Sequence, residues 1–237
     1  MTAASPGSRG RFRRDLVAAY VATGMKIVAW AVVSAMLLRY GSAEQLAVFA
    51  LLRATIGLLQ YTTLGLAPAL VRQLTAERLA TPVEIRAAYN TALVPAGALA
   101  ALAIVLLAVY GVFIDSIHNL PDRIHPGTAG VALLLLGVGF VLRLWSDVTG
   151  AVLHVGGRMW IDSLILAIGD MLWLGMTLGG LAFEATPLTV AAGAFAGSGV
   201  FVAAARVIAL RRTSLAPGHF TIRLDWGVMR FLLVTGG

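Results

Sequence analysis

The stretch LAVFALLRATIGLLQYTTLGLAPALVRQL, residues 46–74, is long enough to cross a bilayer and almost wholly apolar, yet it contains Arg53. An arginine at the centre of a spanning helix costs about 2.5–3.5 kcal/mol, so its side chain is expected to face a bundle interior or a watery cavity rather than lipid. At about 100° per residue, Gly57, Gln60 and Leu64 fall on the same side of the helix as Arg53. The pattern therefore predicts a membrane helix that lines a polar cavity.

The composition places the whole chain among integral membrane proteins. Of its 237 residues, 59% are hydrophobic and 12% are charged, and the mean hydropathy is +0.88; soluble domains are far less apolar. The net charge of +7 comes mainly from arginines between apolar runs, so we expect no nucleic-acid partner. The chain has no cysteine and four scattered histidines, and it lacks phosphate-loop, nucleophile-elbow and dinucleotide-binding motifs. We therefore expect no metal, no cofactor and no enzymatic activity.

Six apolar runs predict an all-α membrane protein with six transmembrane helices. Each run has about 20 residues or more, which at about 1.5 Å per residue crosses a hydrocarbon core of about 30 Å. Pro68 and Pro95 lie inside two of the runs and predict kinks there. Gly193 and Gly197 in the sixth run, with Ser198 beside them, predict a close helix–helix contact. The predicted spans are residues 16–38, 46–71, 87–114, 128–153, 161–183 and 188–210.

The distribution of arginines predicts that the amino terminus lies in the cytoplasm. Cytoplasmic loops of membrane proteins carry an excess of Lys and Arg. One set of loops holds only Arg39 and Arg123, which places that side outside the cell. The opposite set, which includes the amino terminus, holds twelve: Arg9, Arg11, Arg13, Arg14, Arg72, Arg78, Arg86, Arg158, Arg206, Arg211, Arg212 and Arg223. We therefore predict a multi-pass protein of the cytoplasmic (inner) cell membrane.

The predicted domain organisation has four parts. They are a cytoplasmic basic tail (1–15), a six-helix transmembrane lobe (16–210), a cytoplasmic linker (211–225) and the start of a seventh helix (226–237). Because that last stretch is too short to cross a bilayer, we expect the chain to be the first part of a longer protein. An interfacial tail helix anchored by Trp226 and Arg230 is the alternative.

Several charged residues lie well inside the predicted spans, among them Lys26, Arg53, Arg143, Asp147 and Asp170. Arg143 and Asp147 are four residues apart and share a helix face. One interpretation is that Arg143 pairs with Asp147 or Asp170 to hold helices together. Lys26 and Arg53 have no acid at helical spacing, so they favour a site for an anion, of which phosphate or pyrophosphate is the common case. Snorkelling of Arg53 toward the interface is the rival explanation.

Three stretches resemble the polysaccharide and O-antigen flippases of the multidrug/oligosaccharidyl-lipid/polysaccharide exporter superfamily. RYGSAEQLAVFA (39–50) and LGLAPALVR (64–72) resemble the first loop and second helix of these proteins. GAVLHVGGR (150–158) is similar to their junction between the fourth and fifth helices. The resemblance implies twelve or fourteen helices in two six-helix lobes around a cationic cavity that opens alternately to each side. This chain would supply the amino-terminal lobe.

The resemblance also implies a substrate, an oligosaccharide linked to polyprenyl pyrophosphate, and partners in membrane lipid and in a second lobe or polysaccharide assembly proteins. Lys26 and Arg53 correspond to the basic residues of the first two helices that line the cavity in similar flippases. The expected substrate-binding residues are thus Lys26, Arg53, Gln60, Arg143, Asp147 and Asp170, with Trp30 as a candidate sugar contact. The alternatives are a drug or cation antiporter of the same superfamily, in which Asp147 and Asp170 would be the functional acids, and a non-transporting membrane assembly subunit.

Overall fold

The described part of the protein is helical throughout. The computed structural model describes residues 6–58, 66–76, 81–118, 124, 127–183 and 186–213. Within these ranges there is no β-strand. The helices are α1 (Pro6–Tyr40), α2 (Ala43–Leu58), α3 (Leu66–Ala76), α4 (Pro82–His118), α5 (Thr128–Val155), α6 (Met159–Gly180) and α7 (Pro187–Arg211), and a single 3-10 turn (Leu181–Phe183) follows α6.

Five of the described helices are long and apolar enough to cross a membrane. These segments are Arg13–Tyr40, Val83–Ile114, Thr128–Val155, Met159–Phe183 and Pro187–Arg211. They coincide with five of the six predicted spans. The predicted linker and seventh helix (214–237) lie outside the described residues.

The second predicted span, 46–71, is described only in part. It falls on two shorter helices, α2 with 16 residues and α3 with 11, and residues 59–65 between them lie outside the described part. Neither helix alone reaches the length of a span. Pro68 lies in α3, close to the segment that is not described. The kink of a continuous span at Pro68 therefore stays a prediction.

Local signals in the sequence explain several helix ends. Thr81 and Glu84 form a reciprocal capping box at the start of α4: the Thr81 N–H donates to Glu84 Oε2 at 2.6 Å, and the Glu84 N–H donates to Thr81 Oγ1 at 3.3 Å. The two bonds satisfy backbone donors that the first turn leaves unpaired. Gly157, with φ +67°, turns the chain from α5 into α6, because glycine adopts this left-handed conformation without strain. Pro95 lies inside α4, which is one helix of 37 residues.

α5 is the central helix of the bundle and packs against α7 and α4 most extensively. α5 and α7 approach closely at Gly139 and Gly199, where a Cβ on Gly199 would lie 2.5 Å from the Gly139 carbonyl oxygen. The predicted contact at Gly193 and Gly197 is looser, because a Cβ there would meet only the side chains of Leu135 and Met176. Close packing along α7 therefore depends most on Gly199.

Apolar residues fill two clusters on either side of α5. One cluster lies among α1, α2, α5, α6, α7 and the second half of α4 and contains the fully buried Trp173. The other lies among α3, α4, α5 and the end of α7. The outer faces of α1 and α4 carry large exposed apolar side chains, such as Val28, Val105 and Phe113, as helices in contact with lipid do. The first cluster ends at the cavity described next.

Candidate functional site

A cavity of about 410 Å³ lies between α1, α2, α5, α6 and α7. Lys26, Arg53, Arg143 and Asp147 line it, so the structure brings four of the six predicted site residues to one place. We call it the cationic cavity. The rest of the lining is Trp30, Ile56, Gly57, Leu136, Phe140, Leu144, Leu166 and Phe195. Gln60 lies outside the described residues.

Arg53 is held at the cavity by an aromatic stack. Its guanidinium lies 3.9 Å from the centroid of the Trp30 ring, within the range of a cation–π contact. Trp30 in turn packs on Trp173, with centroids 4.5 Å apart, and on Phe195 at 5.9 Å. Trp173 is fixed by a hydrogen bond from Nε1 to the Ala191 carbonyl at 2.9 Å. The Trp30 ring therefore supports Arg53, a role that the sugar-contact hypothesis did not anticipate.

Lys26 and Arg53 are the cations of the cavity that lack an acidic partner. Both side chains are exposed, and neither forms an ion pair within the described part of the chain. Lys26 is one helical turn from Trp30, so it lies on the same face of α1 as the support of Arg53. Two positive charges are thus presented to a common space.

Arg143 forms an ion pair and hydrogen bonds with residues of two neighbouring helices. Its Nη1 donates to Asp170 Oδ1 at 2.7 Å, and its Nη2 donates to Ser198 Oγ at 2.9 Å. Its guanidinium also lies 4.7 Å from the Phe195 ring centroid. Of the two acids that the sequence offered as partners, the structure selects Asp170, which is buried and does not line the cavity. Arg143 and Asp170 therefore tie α5, α6 and α7 together.

Asp147 pairs with Arg206 and not with Arg143. Arg206 Nη1 donates to Asp147 Oδ1 at 2.6 Å and to Ser146 Oγ at 2.8 Å, and Arg206 Nε donates to Asp162 Oδ1 at 2.7 Å. The assignment of Arg206 to a cytoplasmic loop is wrong, since it lies within α7 and is only 2% exposed. The sequence did contain a signal for this: Arg206 lies inside the apolar run 188–210, and an arginine within a membrane span is expected to pair with an acidic group.

The approach of Arg206 and Asp162 to α5 depends on Gly150. A Cβ at this position would lie 3.1 Å from Asp162 Oδ1 and 3.2 Å from Arg206 Nη2. Asp162 Oδ2 also contacts His154 Nε2 at 3.0 Å. We call Arg206, Asp147, Asp162 and His154 the Arg206 cluster. The cluster joins the ends of α5, α6 and α7 that meet near the α5–α6 turn.

A second cavity of about 390 Å³ lies between α3 and the Arg206 cluster. Arg72, Pro68 and Val71 of α3 line one side of it, and the four residues of the cluster line the other. Asp147 borders this second cavity and the cationic cavity alike. Asp147 is thus part of the boundary between the two spaces.

The described residues contain no group of three or more His, Asp or Glu side chains able to hold a metal ion. The arrangement is suited to binding: two cations with no acidic partner among the described residues face a partly apolar cavity, and a network of paired charges fixes the surrounding helices. No protein-family model, curated protein or solved structure matches this chain.

Proposed function

We propose that the chain is the amino-terminal lobe of a membrane flippase that moves a lipid-linked oligosaccharide across the cytoplasmic membrane by alternating access. The observation that carries the proposal is the cationic cavity, where Lys26 and Arg53 face one space without an acidic partner in the described residues. A pyrophosphate group supplies the charge that such a site lacks. Two cations at one cavity would attract the pyrophosphate together, more strongly than either would alone.

The shape of the cavity supports the same substrate class. Its wall is partly apolar and aromatic, with Trp30, Phe140 and Phe195 beside the cations. A polyprenyl pyrophosphate joins an anionic group to an apolar chain, so both kinds of surface are needed. The predicted amino-terminal orientation places α1 with its first residues in the cytoplasm, the side on which such precursors are assembled.

The antiporter alternative receives less support. A cation exporter needs a membrane carboxylate that is free to bind a proton or a cation. Asp170 is ion-paired with Arg143, and Asp147 is ion-paired with Arg206. A non-transporting assembly subunit would not need two cations that face a common cavity with no acidic partner in the described part of the chain.

Translocation by the full-length protein in proteoliposomes tests the proposal. A fluorescent polyprenyl-pyrophosphate oligosaccharide is loaded, and its appearance in the opposite leaflet is followed by quenching. Lys26→Ala and Arg53→Ala should each lower flux at least tenfold, since each removes a charge worth more than about 1.4 kcal/mol of phosphate attraction. Arg39→Ala is the matched control, because Arg39 is an exposed arginine at the end of α1 that stacks on Tyr40 outside the cavity.

Flux that is unchanged in both cavity variants would remove Lys26 and Arg53 from the mechanism. Equal losses in Arg39→Ala and Arg53→Ala would show that the effect belongs to surface charge in general. Proton-coupled efflux of an organic cation, without lipid-linked sugar transport, would favour the antiporter.

A further inference from the structure

The two carboxylates of the Arg206 cluster are neutralised to different degrees. The single guanidinium of Arg206 donates hydrogen bonds to both of them. Asp162 receives Arg206 Nε at 2.7 Å, Arg206 Nη2 at 3.3 Å and the His154 ring at 3.0 Å. Asp147 receives only Arg206 Nη1, at 2.6 Å. Asp147 is therefore the less completely neutralised of the two acids.

The two carboxylates also differ in what they face. The side chain of Asp162 is 5% exposed, whereas that of Asp147 is 42% exposed. Asp147 lines the cationic cavity, and Asp162 does not. The Arg206 side chain is only 3% exposed and contacts Asp147 from the buried side, away from the cationic cavity. The negative charge left over by the cluster is thus presented to the same space as Lys26 and Arg53.

We propose that Asp147 is a built-in counter-ion of the cationic cavity, which opposes the binding of an anion there and so limits how tightly the substrate is held. Arg206 is the positioning residue that fixes this carboxylate at the cavity wall. The inference rests on the proposed function, because it concerns the affinity of the same cavity for phosphate groups. A transporter that must release its substrate on the far side benefits from such a limit, since binding that is too tight slows release.

The size of the effect follows from the dimensions of the cavity. A sphere of 410 Å³ is about 9 Å across. At that separation and an effective dielectric constant near 20, one fully charged carboxylate weakens the binding of a unit negative charge by about twentyfold. Partial neutralisation by Arg206 lowers this figure, and a second charge on the ligand raises it.

The test measures binding of inorganic pyrophosphate to the purified full-length protein by titration calorimetry at low salt. Asp147→Asn keeps the shape of the side chain and an oxygen that accepts from Arg206, and it removes the charge. The expected result is affinity about tenfold higher than in the unaltered protein. Asp147→Glu keeps the charge and should stay within about twofold of it. Asp147→Ser serves as a second neutral variant if Asp147→Asn does not purify in a monodisperse form.

Asp162→Asn is the matched control, since it removes a charge from the same cluster at a position that does not face the cationic cavity. Because it leaves Arg206 to Asp147 alone, it should raise the affinity by less than Asp147→Asn does, by no more than about threefold. Equal tightening by Asp162→Asn and Asp147→Asn would overturn the inference, because the effect would then come from the release of Arg206. Unchanged affinity in Asp147→Asn, with binding that still depends on Lys26 and Arg53, would refute the counter-ion role and leave the proposed function standing. No pyrophosphate binding by any of the proteins would refute both.

Discussion

Replacement of Arg206 by methionine should destabilise the bundle more than any other loss of a single positive charge in α7. Methionine matches the length of the arginine stem but cannot neutralise Asp147 or Asp162. Asp162 would keep only the contact with His154 and would remain buried, 5% exposed. Removal of one partner from a buried ion pair costs about 3–5 kcal/mol, because the other charge stays in a medium of low polarity.

The contribution of Asp147 is smaller than that of Asp162, since its side chain is 42% exposed and water in the cavity solvates it. We therefore expect a loss of about 3–4 kcal/mol, most of it from Asp162. A triple variant that adds Asp147→Asn and Asp162→Asn to Arg206→Met should recover at least half of the loss, because it leaves no uncompensated carboxylate in the cluster.

Equilibrium unfolding in mixed detergent micelles measures these changes. Arg211→Met is the matched control: Arg211 is the last residue of α7 and is exposed, so its loss should change stability by less than about 0.5 kcal/mol. The reasoning is refuted if Arg206→Met is no more destabilising than Arg211→Met. It is also refuted if the triple variant is less stable than Arg206→Met alone.

Three further predictions concern the cavity, the helix packing and the membrane orientation. Trp30→Ala should weaken pyrophosphate binding about fivefold through loss of the cation–π contact with Arg53, whereas Trp30→Phe, which keeps a ring, should weaken it less than twofold; equal effects in titration calorimetry would contradict a supporting role for the ring. Gly199→Ala should destabilise the bundle by about 1–3 kcal/mol in the same unfolding assay, because its Cβ would meet the Gly139 carbonyl, whereas Gly24→Ala, which has open space around it, should have no such cost. A single cysteine introduced at Ser5 should react with an impermeant thiol reagent in inverted vesicles, whose outer surface is the cytoplasmic face, and should not react in intact cells; reaction in intact cells would reverse the orientation derived from the arginines.

Several features of the fold are predictable from the sequence because they depend on local composition. Apolar length alone identifies five helices, and the Thr81–Glu84 spacing identifies the start of α4. Whether residues 46–71 form one span or two helices depends on residues 59–65, which lie outside the described part. Composition does not distinguish the two cases, because the stretch 46–74 is almost wholly apolar.

The cavity and the ion pairs show the limit of reasoning along one helix. Lys26 and Arg53 are identified by the absence of local acids, and the structure places both at one cavity. The spacing of Arg143 and Asp147 suggests a pair within α5, but each has its partner on another helix. Two charges at i and i+4 on one helix pair with each other only if packing brings no other charge closer. The spacing along a single helix does not show which charges of other helices come close. Arg206 was missed for the same reason, because a count of loop charges treats an arginine near a helix end as solvated.

The most direct test of a wet, anion-binding cavity uses a single cysteine in a chain that has none of its own. Gly57 lines the cationic cavity, and a Cβ there meets nothing within 4 Å, so Gly57→Cys fits without a clash. Val28, 54% exposed on α1 and not part of the cavity lining, provides the lipid-facing control. The account predicts that a water-soluble thiol reagent labels Gly57→Cys but not Val28→Cys, and that inorganic pyrophosphate slows the labelling. A cysteine at Gly57 that is unreactive, or that reacts equally fast with and without pyrophosphate, would contradict it.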